Sequence, residues 1–153
     1  RSSRALDDRI RSPPRSSCSV RRYRRMDDKH DVVELLALNR RLLAAIDGGD
    51  WDTYTELCDV DLTAFEPEAV GHLVKGLEFH RFYFDLERDG PRQSTISSPH
   101  VRMLGDVAVV TYTRLTQLIG DDGHPRTASA EETRIWQYVD GRWRHIHFHR
   151  SNN

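Results

Sequence analysis

VAVVTYTRLTQ at residues 107–117 alternates as a β-strand does, and ASAEETRIWQY at 128–138 and RWRHIHFHR at 142–150 repeat the pattern. Side chains two apart on a strand point the same way. One face of the first stretch therefore carries Ala108, Val110, Tyr112 and Arg114. One face of the second carries Ala130, Glu132, Arg134, Trp136 and Tyr138, and one face of the third Arg144, Ile146, Phe148 and Arg150. Each of these otherwise core-like faces includes an arginine: Arg114, Arg134 and Arg150. A guanidinium keeps its proton, so a buried one needs carboxylates, ordered water or a bound anion. The expectation is a pocket lined from three neighbouring strands.

Turn signals at Gly105-Asp106, residues 120–123 and Asp140-Gly141 divide the last third of the chain into three or four strands. Upstream, Val32, Val33, Leu35, Leu36, Leu42, Leu43 and Ile46 recur at helical spacing over residues 27–50, with acids at the start and Gly48-Gly49 near the end. Asp50 is placed to cap a short second helix, WDTYTELC, and DLTAFEP reads as a strand stopped by Pro67. GLEFHRFYFDLE brings Phe79, Phe82, Tyr83 and Phe84 together, a cluster expected to be buried on one more helix. Helices first and an antiparallel meander last predict an α+β fold, with helices on one side of a curved sheet.

The chain has 153 residues, of which 37% are hydrophobic, enough for one domain with its own core. A formal charge of −1 conceals an asymmetry: residues 1–25 hold nine Arg against two Asp, a net +7, which leaves −8 on the remainder. That leader, rich in Arg, Ser and Pro, is expected to be disordered. Residues 1–26 are set apart from a domain at 27–153, whether as a native tail or as an appended segment without function. Its RRYRR run suits a nucleic acid, an acidic lipid surface or an acidic partner, but a solvated tail is the plainer reading. Cys18 and Cys58 lie in segments of different character, which argues against a structural disulfide and for a reducing compartment. No apolar run approaches the ~20 residues of a membrane span, so the expectation is a cytoplasmic protein without membrane or nucleic-acid partners.

Three strings resemble a known family. TAFEPEAVGHLVKGLEFHRFYF (63–84), GHPRTASAEETRIW (123–136) and HFHRS (147–151) are similar to the association, or hub, domain of calcium/calmodulin-dependent protein kinase II, within the nuclear transport factor 2-like (SnoaL-like) fold group. The resemblance covers roughly residues 31–151. It implies a cone, a strongly curved antiparallel sheet wrapped around a long N-terminal helix with a cavity inside. It also implies self-assembly, from a dimer building block to a dodecamer or tetradecamer ring, with a kinase as partner. A Gly-rich phosphate loop, a VAIK-like strand lysine, and HRD and DFG segments are missing from the sequence, which excludes kinase chemistry within this chain. The family's pocket arginines fall on Arg114, Arg134 and Arg150 and its pocket histidine on His80, a pocket suited to small carboxylates. One departure is DLERDG at residues 85–90, which is shorter than the family's loop there and lacks its tryptophan.

The candidate ligand-binding set is thus Arg114, Arg134, Arg150, His80, Glu66, Glu132 and Tyr112, with no cofactor, no metal and no catalytic residue assigned. Two alternatives stay open for the arginines: an anion site with surplus positive charge, or a network neutralised by Glu66 and Glu132. Function likewise has two readings. One is a non-catalytic oligomerisation module. The other is a SnoaL-like cyclase, dehydratase or isomerase with His80 or Glu132 as base and Tyr112 with an arginine stabilising an enolate. His145, His147 and His149, read as one face opposite Ile146 and Phe148, lack a carboxylate at ligand spacing, and His30 and Glu34 with the nearby acids show no ligand spacing.

Overall fold

The structure, a computed structural model, describes residues 28–86 and 90–152. The basic leader expected at 1–26, Cys18, and residues 87–89 of DLERDG lie outside the described residues. The long helix α1 (Asp28–Gly48) runs to Gly49, whose φ of 73° ends it in the left-handed region that glycine adopts freely. Leu35, Leu42, Leu43 and Ala45 form its buried stripe. Val33, counted with that stripe in the sequence, is 69% exposed because it lies on the opposite side of the cylinder. Asp50 caps α2 (Trp51–Leu57) as expected, its Oδ1 accepting from the Thr53 amide at 3.0 Å.

Strand β1 (Cys58–Phe65) follows at once, then a 3-10 turn at Pro67–Ala69, the short β2 (Val74–Lys75) and α3 (Glu78–Asp85). Four long strands complete the chain: β3 (Arg92–Leu104), β4 (Val107–Ile119), β5 (Pro125–Val139) and β6 (Arg142–Asn152). They form a six-stranded sheet in the order β2-β1-β6-β5-β4-β3, curved and unclosed. The meander β3 to β6 is antiparallel as expected, and β6 then pairs parallel with β1, so the last strand lies inside the sheet. The β5–β6 hairpin turns on Asp140 and Gly141, both at positive φ (51° and 84°), the geometry of a two-residue primed turn.

The concave face closes on α1. Leu35, Leu42 and Leu43 share one core with Tyr54, Leu57, Leu62, Ala108, Val110, Tyr112, Trp136 and Trp143. On α3 the expected aromatic burial is only partly realised: Phe84 packs on this core, whereas Phe79 and Phe82 are 40% and 62% exposed. A helix of eight residues offers one face to the core, and here His80 and Phe84, one turn apart, occupy it.

One irregularity redirects β6. Ile135 pairs with His147 but Trp136 pairs with His145, which leaves Ile146 as the extra residue of a β-bulge. Trp143 and His145 therefore face inward before the bulge and Phe148 after it. Arg144 and Ile146, placed inward by strict alternation, are not on that face. Arg144 instead donates through Nη1 to the carbonyls of Glu56 and, at 3.2 Å, Cys58, closing off the end of α2.

Leu42, fully buried between α1 and the sheet, should cost about 2–5 kcal/mol on replacement by alanine, and Phe82→Ala, on the exposed side of α3, within about 0.5 kcal/mol. Urea denaturation of both variants at one fixed protein concentration checks this difference.

Candidate functional site

Arg134 stands at the centre of the site, 1% exposed, on β5 beside Glu132, which is 2% exposed. Its Nη2 donates to Glu132 Oε2 at 2.8 Å, and its Nε donates to the same oxygen at 3.1 Å and to the Tyr112 hydroxyl at 2.8 Å. Tyr112 donates in turn to Glu132 Oε2. Arg114, one strand away, reaches Glu132 Oε1 at 3.4 Å, Asp47 Oδ1 at the end of α1 at 2.9 Å, and Ser94 Oγ on β3 at 2.8 Å. Asp47 also accepts from the Ser94 amide and hydroxyl, so Arg114 is tied to both the helix and the sheet edge.

A second group gathers at the other end. Glu66 and His80, both buried, approach to 3.3 Å (Oε1 to Nε2), and Arg150 Nη2 lies 3.5 Å from Glu66 Oε2 while pairing with Glu68. Phe148 joins the two groups: the Arg134 guanidinium sits 4.7 Å over its ring, and the His80 ring centroid is 5.5 Å away. The seven expected residues thus belong to one continuous set of contacts, with Arg114 and Arg150 at opposite ends.

The expected surplus of positive charge is not found. Asp47 and Glu68 join Glu132 and Glu66, so each guanidinium already faces a carboxylate. Sequence reasoning missed Asp47 and Glu68 because a helix end and a 3-10 turn carry no alternation to mark them. Burial alone would raise the Glu132 carboxyl, but Arg134 and Arg114 outweigh it and hold it at about 2. A carboxylate so stabilised is a weak base at neutral pH, which removes Glu132 from the role given to it in the enzyme reading. Burial would lower Arg134, yet Glu132 and Tyr112 keep it raised, and burial pushes the Tyr112 phenol up to about 12.

His145 was also missed as a member of this site, since the bulge alone turns it inward. Burial, then Arg134 and His80, hold its imidazole well below the ordinary value. Arg134 can only donate, so Nε2 of this neutral ring, 3.4 Å from Nη1, is the acceptor, and the proton belongs on Nδ1, 3.6 Å from the Cys58 sulfur. Burial pushes the Cys58 thiol up to about 12, the state of an unreactive thiol. His147, by contrast, bonds Thr63 Oγ1 at 2.7 Å on the other side of the sheet, so the three histidines share no common ligand face.

Two polar groups remain without a directed partner. Both ring nitrogens of His80 and Oε1 of Glu66 are buried and make no hydrogen bond. An open cleft of about 470 Å³ adjoins the Arg114 end, between Arg40 and Asp47 on α1 and residues 90–94; Asp47 and Ser94 line it, but none of the seven expected residues does. On α1, His30, Asp31 and Glu34 bring one donor atom each within 4.8 Å of one another. No ligand spacing was expected there from the sequence, although on a helix over 27–50 His30 and Glu34 stand one turn apart. Among the described residues, no helix is long and apolar enough to cross a membrane.

Comparison with known proteins agrees with this architecture. The family model for the calcium/calmodulin-dependent protein kinase II association domain matches residues 28–153. Calcium/calmodulin-dependent protein kinase type II subunit delta of Oryctolagus cuniculus is 46% identical over 131 residues, 83% of this chain, and the chain spans 25% of that relative's length. The solved CaMKII hub homology domain of Chlamydomonas reinhardtii is 50% identical, with a TM-score of 0.75 over 80% of this chain and 98% of that one. A nuclear transport factor 2-like protein of Salmonella enterica, at 19% identity, shares the fold: TM-score 0.70, covering 82% of this chain and 92% of that one.

Acid should destabilise the protein in two windows. A histidine with a depressed folded pKa contributes stability that is present above its unfolded value, 6.5, and lost as pH falls below it. Glu132 contributes stability that is present above 4.5 and lost as pH falls toward about 2. In melting curves across pH, His145→Gln should flatten the slope below 6.5, and Glu132→Gln the slope below 4.5, although each variant melts lower at neutral pH.

Proposed function

The chain belongs to the calcium/calmodulin-dependent protein kinase II association domain family, and from that premise we propose that it works as a non-catalytic oligomerisation module, closing into a homo-oligomeric ring whose subunits each hold a small carboxylate. The observation that carries the assembly reading is the extent of the match, which spans every described helix and strand of the domain. Dimers are the building block, twelve or fourteen subunits the closed ring, and cytoplasmic co-assembly with a kinase subunit of the same family belongs to the same reading. Mass photometry of the full chain beside residues 26–153 tests it. A closed species at micromolar concentration is expected, and monomers alone at that concentration would refute it.

The carboxylate reading rests on the His80 and Glu66 end. There, Glu66 lies between the buried His80 ring, whose nitrogens make no hydrogen bond, and Arg150, whose side chain is 21% exposed and whose main partner, Glu68, is itself 39% exposed. A ligand carboxylate exchanges with Glu68 at Arg150, an ion pair that solvent already reaches and that is therefore cheap to open. Arg134 and Arg114, locked to Glu132, shape the pocket wall. In a thermal-shift titration with acetate and butyrate, Glu68→Gln should tighten binding roughly tenfold by removing the internal competitor, while Arg150→Ala should abolish it. Equal stabilisation of all three proteins would exclude Arg150 as the anchor.

A further inference from the structure

The first turns of α1 carry a feature that the assembly reading does not use. His30, Asp31 and Glu34 stand at i, i+1 and i+4, so the helix presents them as one triangular patch in which one ring nitrogen and two carboxylate oxygens lie within 4.8 Å of one another. Asp31 is 1% exposed, and its Oδ2 is buried without a hydrogen-bond partner. Among the described residues, neither Asp31 nor Glu34 has an ion-pair partner. The helix dipole favours carboxylates at an N-terminus, which accounts for their sign, but it supplies no partner to a buried oxygen.

We propose that His30, Asp31 and Glu34 form a binding site for a divalent transition-metal ion of the zinc type. An imidazole with two carboxylates is a donor set suited to zinc and its neighbours, whereas magnesium and calcium select oxygen alone. Tetrahedral zinc with bonds near 2.1 Å holds its donors about 3.4 Å apart, so the patch must contract by up to about 1.4 Å from the 4.8 Å within which its donors lie. Exposed His30 and half-buried Glu34 have the rotamer freedom to close onto the fixed Asp31. Three protein ligands leave one position for water. The ion gives the buried Asp31 carboxylate a charged partner and ties the first two turns of α1 together.

Full-length protein stripped with a chelator and titrated with zinc chloride by calorimetry provides the test. The expected result is one saturable site per subunit at micromolar zinc, a raised melting temperature, and cobalt substitution giving the visible spectrum of a four-coordinate ion. His30→Ala and Glu34→Gln, both on accessible positions, should each weaken binding roughly tenfold or more, while His149→Ala on the far side of the sheet leaves it unchanged. Circular dichroism of each variant confirms that the fold is retained. Absence of saturable binding, binding that survives both helix substitutions, or binding lost in His149→Ala overturns the proposal.

Discussion

The buried pair of Arg134 and Glu132 is the constraint around which the remainder is arranged. A guanidinium at 1% exposure cannot shed its charge, so the strands that surround it must bring acceptors to it. Glu132 supplies two contacts, Tyr112 bridges guanidinium and carboxylate, and Phe148 and His145 cover the remaining sides. Such a pair adds little stability over an apolar substitute, but removing one partner costs about 3–5 kcal/mol because the other is left charged in the interior. Its effect is to fix register. Tyr112 pairs with Glu132 across β4 and β5, and a slip of β5 by one residue would turn Glu132 and Arg134 to the convex face.

Because β4 carries Val110 and Tyr112 in the core and Arg114 in the site, packing and chemistry are not separable here. α1 is held by its leucine stripe and, at its C-terminal end, by Asp47 on Arg114 and Ser94. Internal carboxylates already face each of the three arginines, and solvent reaches the Arg150 ion pair but not that of Arg134.

The alternation of residues 107–117 and 128–138 was sufficient to place Tyr112, Arg114, Glu132 and Arg134 on one face, because a regular strand has a period of two and these two strands pair without a break. In residues 142–150 the same rule held only beyond Ile146. One inserted residue exchanged Arg144 for His145, and periodicity cannot reveal where an insertion falls. Asp47 and Glu68 were invisible for another reason: their approach to Arg114 and Arg150 depends on how α1 and the 3-10 turn meet the sheet, a long-range outcome absent from local pattern. His80 was legible through the family resemblance and Phe82 was misjudged, because aromatic content alone does not say which side of a short helix is covered.

The parallel pairing of β1 with β6 governs how this domain is made. Residues 142–152 enter between β1 and β5, so the middle of the sheet is supplied by the strand that follows all the others of the domain in sequence. Without it β1 lacks its principal neighbour, α1 lies over a core that is missing Trp143, and Ala64, Ala69 and Val74 lack Phe148. Closure of the sheet therefore depends on β6, without which β1 and β5 each present an open, adhesive edge.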